Sequence, residues 1–392
     1  MNPAPVSLED LFGGPIIGPV RDPHSVYRRL RREAPVLPVA MGPQTAWFVS
    51  RYDEVKEVLR NDDLFSNQSN AKGVSLVMGR TIIEMDGREH LKHRNLVTPA
   101  LAPRALKGGF PKRVREIADE VIDRFAGRGN ADLVAELTFN YPLRVFTEIL
   151  GLPLEQLEQF HHWAIDLTHV AQDPARGLAA ARKLAGYLLP LVQARRAEPR
   201  DDLISRLAQA EVDGERLSDE EVVSFLRLLI SAGAETTYHL MGTTLYALLT
   251  HRPVFERVVA DRSQLRRVLD EALRWDCPVQ IVTREAKSDL TLLDVPIPAG
   301  AQLIVGVGSA NRDERQFPDP DRFDPDRPDA EHIAFGFGKH YCAGSRLAYL
   351  EAEIGLEALF DRLGTRLRLA ADPECGIVGV AFRGPNRLPV GF

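Results

Sequence analysis

The residues with the most chemical content lie near the C-terminal end. They form the run 335–344: Phe335, Gly336, Phe337, Gly338, Lys339, His340, Tyr341, Cys342, Ala343, Gly344. Two glycines before the cysteine and one after it let the backbone approach something flat and bulky. Successive N–H groups can then point at the sulfur, favouring thiolate over thiol. Helical periodicity follows Cys342 as far as Phe360, so the sulfur sits by a helix N-terminus, where negative charge is stabilised. A glycine-rich turn around a small buried cysteine is the bland alternative.

A second constellation, Ala232, Gly233, Ala234, Glu235, Thr236 and Thr237, sits in the middle of the longest helical pattern. An acid and two threonines in an apolar helix are costly unless satisfied. Thr236 can bond back to the carbonyl of Ala232, which loosens the ladder and leaves room for a small molecule. The other reading is a glycine packed against a neighbouring helix, with the acid reaching a basic partner. On these residues alone the two readings stand level. A third group, Glu271 and Arg274, shares one helix face at i, i+3, a spacing that usually gives only a surface pair. A proline-rich stretch, 317–325, precedes the cysteine run and contains Arg322. His90 and Arg94 project together at i, i+4, and Arg284 opens a strand-like segment.

The cysteine run resembles the haem-ligand signature of the cytochrome P-450 superfamily, Phe-Gly-x-Gly-x-His-x-Cys-x-Gly, at every fixed position. The resemblance spans from about His90 to Gly344, with the landmarks in the family's order. It implies a mainly α fold with minor β, in which haem b lies between the long central helix and the Cys342 loop. It implies that Cys342 is the iron ligand, with Phe335 beside it and Gly233 and Gly344 close to the cofactor. By the same resemblance His90, Arg94, Arg284 and His340 meet the haem propionates, which need charged partners in a pocket of low dielectric. Glu235 and Thr236 resemble the family's acid–alcohol pair, which relays protons to bound dioxygen. Glu271, Arg274 and Arg322 resemble its structural Glu–Arg–Arg triad. The substrate pocket is expected from Ile230, Ala234, Val279, Ile281, Val282 and Phe382, under the loop 67–83 and the hinge 161–180. These residues are mostly apolar, so the expected substrate is a lipophilic small molecule.

The elements that must position these residues read as helices at 53–60, 89–98, 114–125, 133–150, 155–170 and 178–195. Asp22 caps a helix that opens with Pro23. Ser218 and Glu221 form a capping box for a helix that continues to Thr250 and stops before Pro253. Strands are expected in a hairpin around Gly42 and Pro43, across 284–304, and at 387–392. No linker or repeat interrupts 1–392 apart from a Pro-rich segment at 1–21, which predicts one large domain.

Composition narrows the function. The chain has 392 residues, 49 Lys and Arg against 55 Asp and Glu, and a formal charge of −6, which argues against nucleic acid as a partner. Three cysteines form no disulfide or metal framework and suit a reducing compartment. With no signal peptide or membrane anchor in the pattern, a cytoplasmic monomer is expected. About fifty residues follow Cys342, too few for a domain of ~50–200 residues carrying flavin or iron–sulfur. The resemblance to stand-alone bacterial members of the superfamily then implies electrons from NAD(P)H through a separate ferredoxin and its reductase, with Lys339 and Arg346 as docking cations. A peroxide-using enzyme, a dehydratase or isomerase, and a non-catalytic haem sensor remain as rivals.

Overall fold

The computed structural model describes residues 5–16, 18–42, 44–101, 109–152, 157–168, 170, 173–328 and 331–392. Helices supply most of the core. The largest apolar cluster joins Phe110–Asp123, Asn140–Leu150, Pro174–Ala197, Asp219–Thr250 and Ser345–Leu363. Asp219–Thr250 has 32 residues, about 48 Å at ~1.5 Å per residue. Both arms of its capping box form, between Ser218 and Glu221. Its middle turns are surrounded by other helices, which is why hydrophobic residues occur on nearly all its faces. The helix pattern at 155–170 becomes Leu157–Thr168, while 155, 156 and 169 lie outside the described residues.

The sheet is more dispersed than its sequence signals. Val36–Met41 pairs antiparallel with Gln44–Val49 around Gly42, and Pro43 lies outside the described residues. Gln302–Gly306 then joins parallel to Gln44–Val49 and antiparallel to Ile281–Ala286. Pieces of two residues at Val6–Ser7 and Phe65–Ser66 complete six strands. Pro389–Gly391 pairs with Asn130–Asp132 and Arg368–Leu369. Strands this short show no period-2 pattern, so only their partners reveal them. The helix expected over 133–150 begins as a π turn, Val134–Thr138, before Asn140–Leu150.

A buried ionic knot ties the chain ends to the region after Glu271 and Arg274. Asp276 Oδ1 accepts from Arg383 Nε at 2.8 Å and lies 3.2 Å from His24 Nε2. Arg312 approaches Oδ2 at 3.9 Å. Burial alone would raise the Asp276 carboxyl, but Arg383, His24 and Arg312 hold it well below the usual carboxylate range. Burial and the adjacent Arg312 push His24 down to about 4, so its ring is neutral near pH 7. Removing one member of such a set strands the others' charge. Asp276→Ala is therefore expected to lower stability by about 3–5 kcal/mol in chemical denaturation. A loss below about 1 kcal/mol would show that the knot is energetically idle.

Candidate active site

The loop carrying Cys342 is shaped by left-handed glycines. Gly336 and Gly338 both have φ of 75°, a conformation side chains rarely adopt. A Cβ at Gly338 would also lie 3.0 Å from the Cα of Arg60. The Cys342 N–H donates to the carbonyl of Phe335 at 2.8 Å, closing the loop on itself. Burial pushes the Cys342 thiol up, while N–H groups of Gly344 and Ser345 and the charge of Arg94 pull it down. The sulfur thus sits deep in the fold, yet Cys342 keeps an exposed face. Phe335 packs beside this loop, its ring 5.2 Å from Tyr349 and 6.1 Å from Tyr341.

Four basic residues gather around that face. His90 stacks on His340 with ring centroids 3.9 Å apart, and among the described residues the buried His90 Nε2 has no hydrogen-bond partner. Burial, helped by His90, Arg284 and Arg94, pushes His340 down to about 3. Arg94 donates to the carbonyl of Tyr341, next to the cysteine. Arg284 is only 6% exposed, and its guanidinium bonds to its neighbour's carbonyl, Thr283 O, at 2.8 Å. Burial lowers Arg284 to about 10, and Asp86 and Asp62 act on it only at longer range. Cations buried without counter-anions are expensive. A donor set of one open sulfur, two guanidinium groups and two imidazoles fits a flat group that carries both a metal and carboxylates.

The central helix presents its polar residues differently from one another. Thr236 Oγ1 donates to the carbonyl of Ala232 at 2.6 Å, as its position suggested. Burial pushes the Glu235 carboxyl up to about 7. Gly233 packs closely against another helix: a Cβ there would collide with the Phe146 ring. Ile230, expected in a pocket, is 2% exposed within the helical core. Ala232, one turn before Thr236, is the exposed residue among the described side chains of 230–237. The Ala234 side chain lies outside the described residues.

The family model for cytochrome P450 matches residues 14–369. This chain belongs to the cytochrome P450 family. It is 35% identical to a vitamin D(3) 25-hydroxylase of Pseudonocardia autotrophica, covering 97% of this chain and 96% of the relative. A 6-deoxyerythronolide B hydroxylase of Saccharopolyspora erythraea is 34% identical, over 94% of this chain and 96% of its own. The cytochrome P450 of a Bacillus subtilis bacillaene polyketide synthase superposes with TM-score 0.88 at 32% identity, over 94% and 96% of the two chains. A testosterone-bound P450 of Bacillus megaterium superposes with TM-score 0.84 at 34% identity, over 94% and 99%. This P450 is an oxidoreductase of the monooxygenase class. The haem-thiolate group of the family fits the donors around Cys342.

Beneath the cysteine loop of this P450, Glu271 and Arg274 form a bidentate pair at 2.7 and 2.8 Å. Both are essentially buried, unlike the usual i, i+3 pair. Arg274 also donates to the carbonyls of Asn311, Pro320 and Arg322. The third cation is not Arg322, whose side chain is 69% exposed and faces Asp324. Arg327 takes that place at 7% exposure, 3.7 Å from Glu271, with bonds to the carbonyls of Pro318, Asp319 and Arg322. Both arginines sit in one irregular loop, and its turns bury the later one.

Of the expected pocket residues, Val279 and Phe382 form an antiparallel bridge, reinforced by the Gln280 N–H to Ala381 O bond. Ile281 and Val282 follow on the strand, packed on separate apolar clusters. Arg383, unnoticed in the sequence, ties the Phe382 loop to Asp276. Lys339 pairs with Asp62 at 2.5 Å while its side chain stays 66% exposed, and Arg346 is exposed. Loss of a buried, paired arginine costs more than loss of a solvated one. In urea titrations Arg327→Ala should lower stability by about 3 kcal/mol and Arg322→Ala by under ~1 kcal/mol. The reverse order would restore Arg322 to the triad.

Proposed function

We propose that this P450 hydroxylates a lipophilic small molecule, using dioxygen and electrons delivered from NAD(P)H through a ferredoxin and its reductase. The observation that carries the reading is Cys342, with an exposed face, beside Arg94 and a deeply buried Arg284 that forms no ion pair within 4 Å among the described residues. Haem b held there supplies dioxygen activation and oxygen transfer to a C–H bond. Cys342 would ligate its iron, with the N–H groups of Gly344 and Ser345 supporting the charge on sulfur. Arg94, Arg284, His90 and His340 would hold its two propionates.

Glu235 and Thr236 would handle protons. A carboxyl near pKa 7 can both give and recover a proton at neutral pH. Thr236 Oγ1, bonded to Ala232 O, is placed to position a water or dioxygen at the loosened turn. The acid–alcohol pair favours oxygen-dependent turnover over a peroxide-dependent or dehydratase reaction. Ala232, Val279, Ile281, Val282 and Phe382 would line the substrate side. Arg346 is a docking charge for an acidic ferredoxin, and one haem domain over 1–392 would act as a cytoplasmic monomer. No described helix is long and apolar enough to cross a membrane.

Two measurements address the proton route. Glu235 is protonated below its pKa of about 7, so turnover should fall as pH rises through that value. Glu235→Gln should remove this limb of the pH–rate profile; a profile identical to the parent's would take Glu235 out of the route. Thr236→Ala should divert reducing equivalents to hydrogen peroxide, with product per NAD(P)H falling about tenfold or more. Coupling as tight as the parent's would show that the hydroxyl has no such role.

A further inference from the structure

Beside the ligand loop, a tyrosine, an aspartate and a histidine form one hydrogen-bonded chain. The Tyr349 hydroxyl donates to Asp270 Oδ1. His332 Nε2 lies 3.3 Å from that hydroxyl and 3.7 Å from the same Asp270 oxygen. The other ring nitrogen, His332 Nδ1, accepts the backbone N–H of Ala334 at 3.3 Å. One tautomer satisfies every contact: Nε2 carries the proton and donates to the Tyr349 oxygen, whose own proton goes to Asp270. Burial would raise the Asp270 carboxyl, but hydrogen bonds from His332 and Tyr349 hold it below the ordinary carboxylate range. The guanidinium of Arg266 covers the Tyr349 ring at 3.3 Å and also donates to Asp270.

The chain joins three segments that flank the cysteine. Asp270 stands next to Glu271 on the helix Leu265–Trp275, and Tyr349 is on Ser345–Leu363, seven residues after Cys342. His332 stands ten residues before Cys342. The backbone from His332 to the loop lies outside regular secondary structure and is held by side chains instead. Asn311 Oδ1 takes the N–H of Ile333 at 2.8 Å, and His332 takes the next one, from Ala334. Phe335 follows directly. Its carbonyl accepts the Cys342 N–H, and its ring lies 5.2 Å from Tyr349 and 6.0 Å from His332. The two nitrogens of His332 therefore link a buried helix to the backbone that holds the cysteine.

We propose that Asp270, Tyr349 and His332 are positioning residues for the iron ligand: by fixing Ala334 and Phe335 they set how the N–H groups of Gly344 and Ser345 meet the Cys342 sulfur. This rests on the assignment of Cys342 to iron and adds what tunes that ligand. N–H donors aimed at a ligating sulfur draw charge from it and favour the reduced metal, a lever that acts through hydrogen bonds and not through ligand identity. The chain reaches the sulfur only through backbone, by way of Ala334, Phe335 and the Cys342 N–H. A chain that merely braced the fold would, on losing a link, lower stability and leave the reduction potential where it was. A positioning chain changes the potential as well.

The test uses haem-loaded protein: the parent, Tyr349→Phe, Asp270→Asn and Asp270→Ala, each read by a reduction titration and by urea unfolding. Tyr349→Phe keeps the ring against Phe335 and Arg266 and removes only the bridging hydroxyl. At the parent's midpoint potential it should be about fivefold more ferric, the weight of roughly one hydrogen bond. Asp270→Asn retains an oxygen that accepts from Tyr349, so its ferric-to-ferrous ratio should stay within about twofold of the parent's. Asp270→Ala should match Tyr349→Phe. A Tyr349→Phe midpoint equal to the parent's overturns the proposal, whatever the urea curve shows. So does a shift in Asp270→Asn as large as in Asp270→Ala, because the effect would then follow the carboxylate's charge and not its grip on Tyr349. A parent whose reduced, carbon monoxide-bound spectrum is of the nitrogen type sinks the assignment of Cys342 instead.

Discussion

Keeping a cysteine sulfur anionic inside a protein requires that something offset its desolvation. Around Cys342 the burial acts against the charge, and two backbone N–H groups and Arg94 act for it. The positive φ of Gly336 and Gly338 is needed because the loop must fold tightly enough to aim those N–H groups. The same charge requirement recurs at the open face, where Arg284 is buried with Asp86 and Asp62 acting only at longer range and, among the described residues, His90 Nε2 has no hydrogen-bond partner. A metal for the sulfur and carboxylates for the cations would neutralise both sets at once. The rest of the fold holds these two sets against each other.

Two buried ionic assemblies do that holding. Glu271, Arg274 and Arg327 grip the irregular stretch before the cysteine loop through its carbonyls, since that stretch lacks regular hydrogen-bond ladders of its own. Asp276, one residue beyond Trp275 at the end of the same helix, binds Arg383 and so fixes the Phe382 loop against Val279. One helix and its cap therefore position both the ligand loop and the facing wall. Neither assembly touches the reacting atoms. Their buried charges make both positions rigid, because partial opening would expose an unsatisfied ion to a medium of low dielectric.

Legibility in the sequence followed how local each determinant is. The cysteine loop, the capped central helix and the Thr236 back-bond depend on residues within a few positions, and all three were readable. Arg322 was named where Arg327 does the work, because the choice is made by turns that bring a distant helix to the loop. The close approach of Phe146 to Gly233 comes from another helix and had no local signal. Ile230 and Ala232 differ by two positions, and only the packing of neighbouring helices decides which is exposed.

The central claim is that Cys342 supplies a sulfur anion to iron, and the spectrum of the reduced, carbon monoxide-bound protein tests it most directly. With sulfur as the protein ligand, the Soret band would lie at a distinctly longer wavelength than with nitrogen. The account predicts the long-wavelength band in the parent and its disappearance in Cys342→Ala. A nitrogen-type band in the parent, or a long-wavelength band that persists without Cys342, would contradict it.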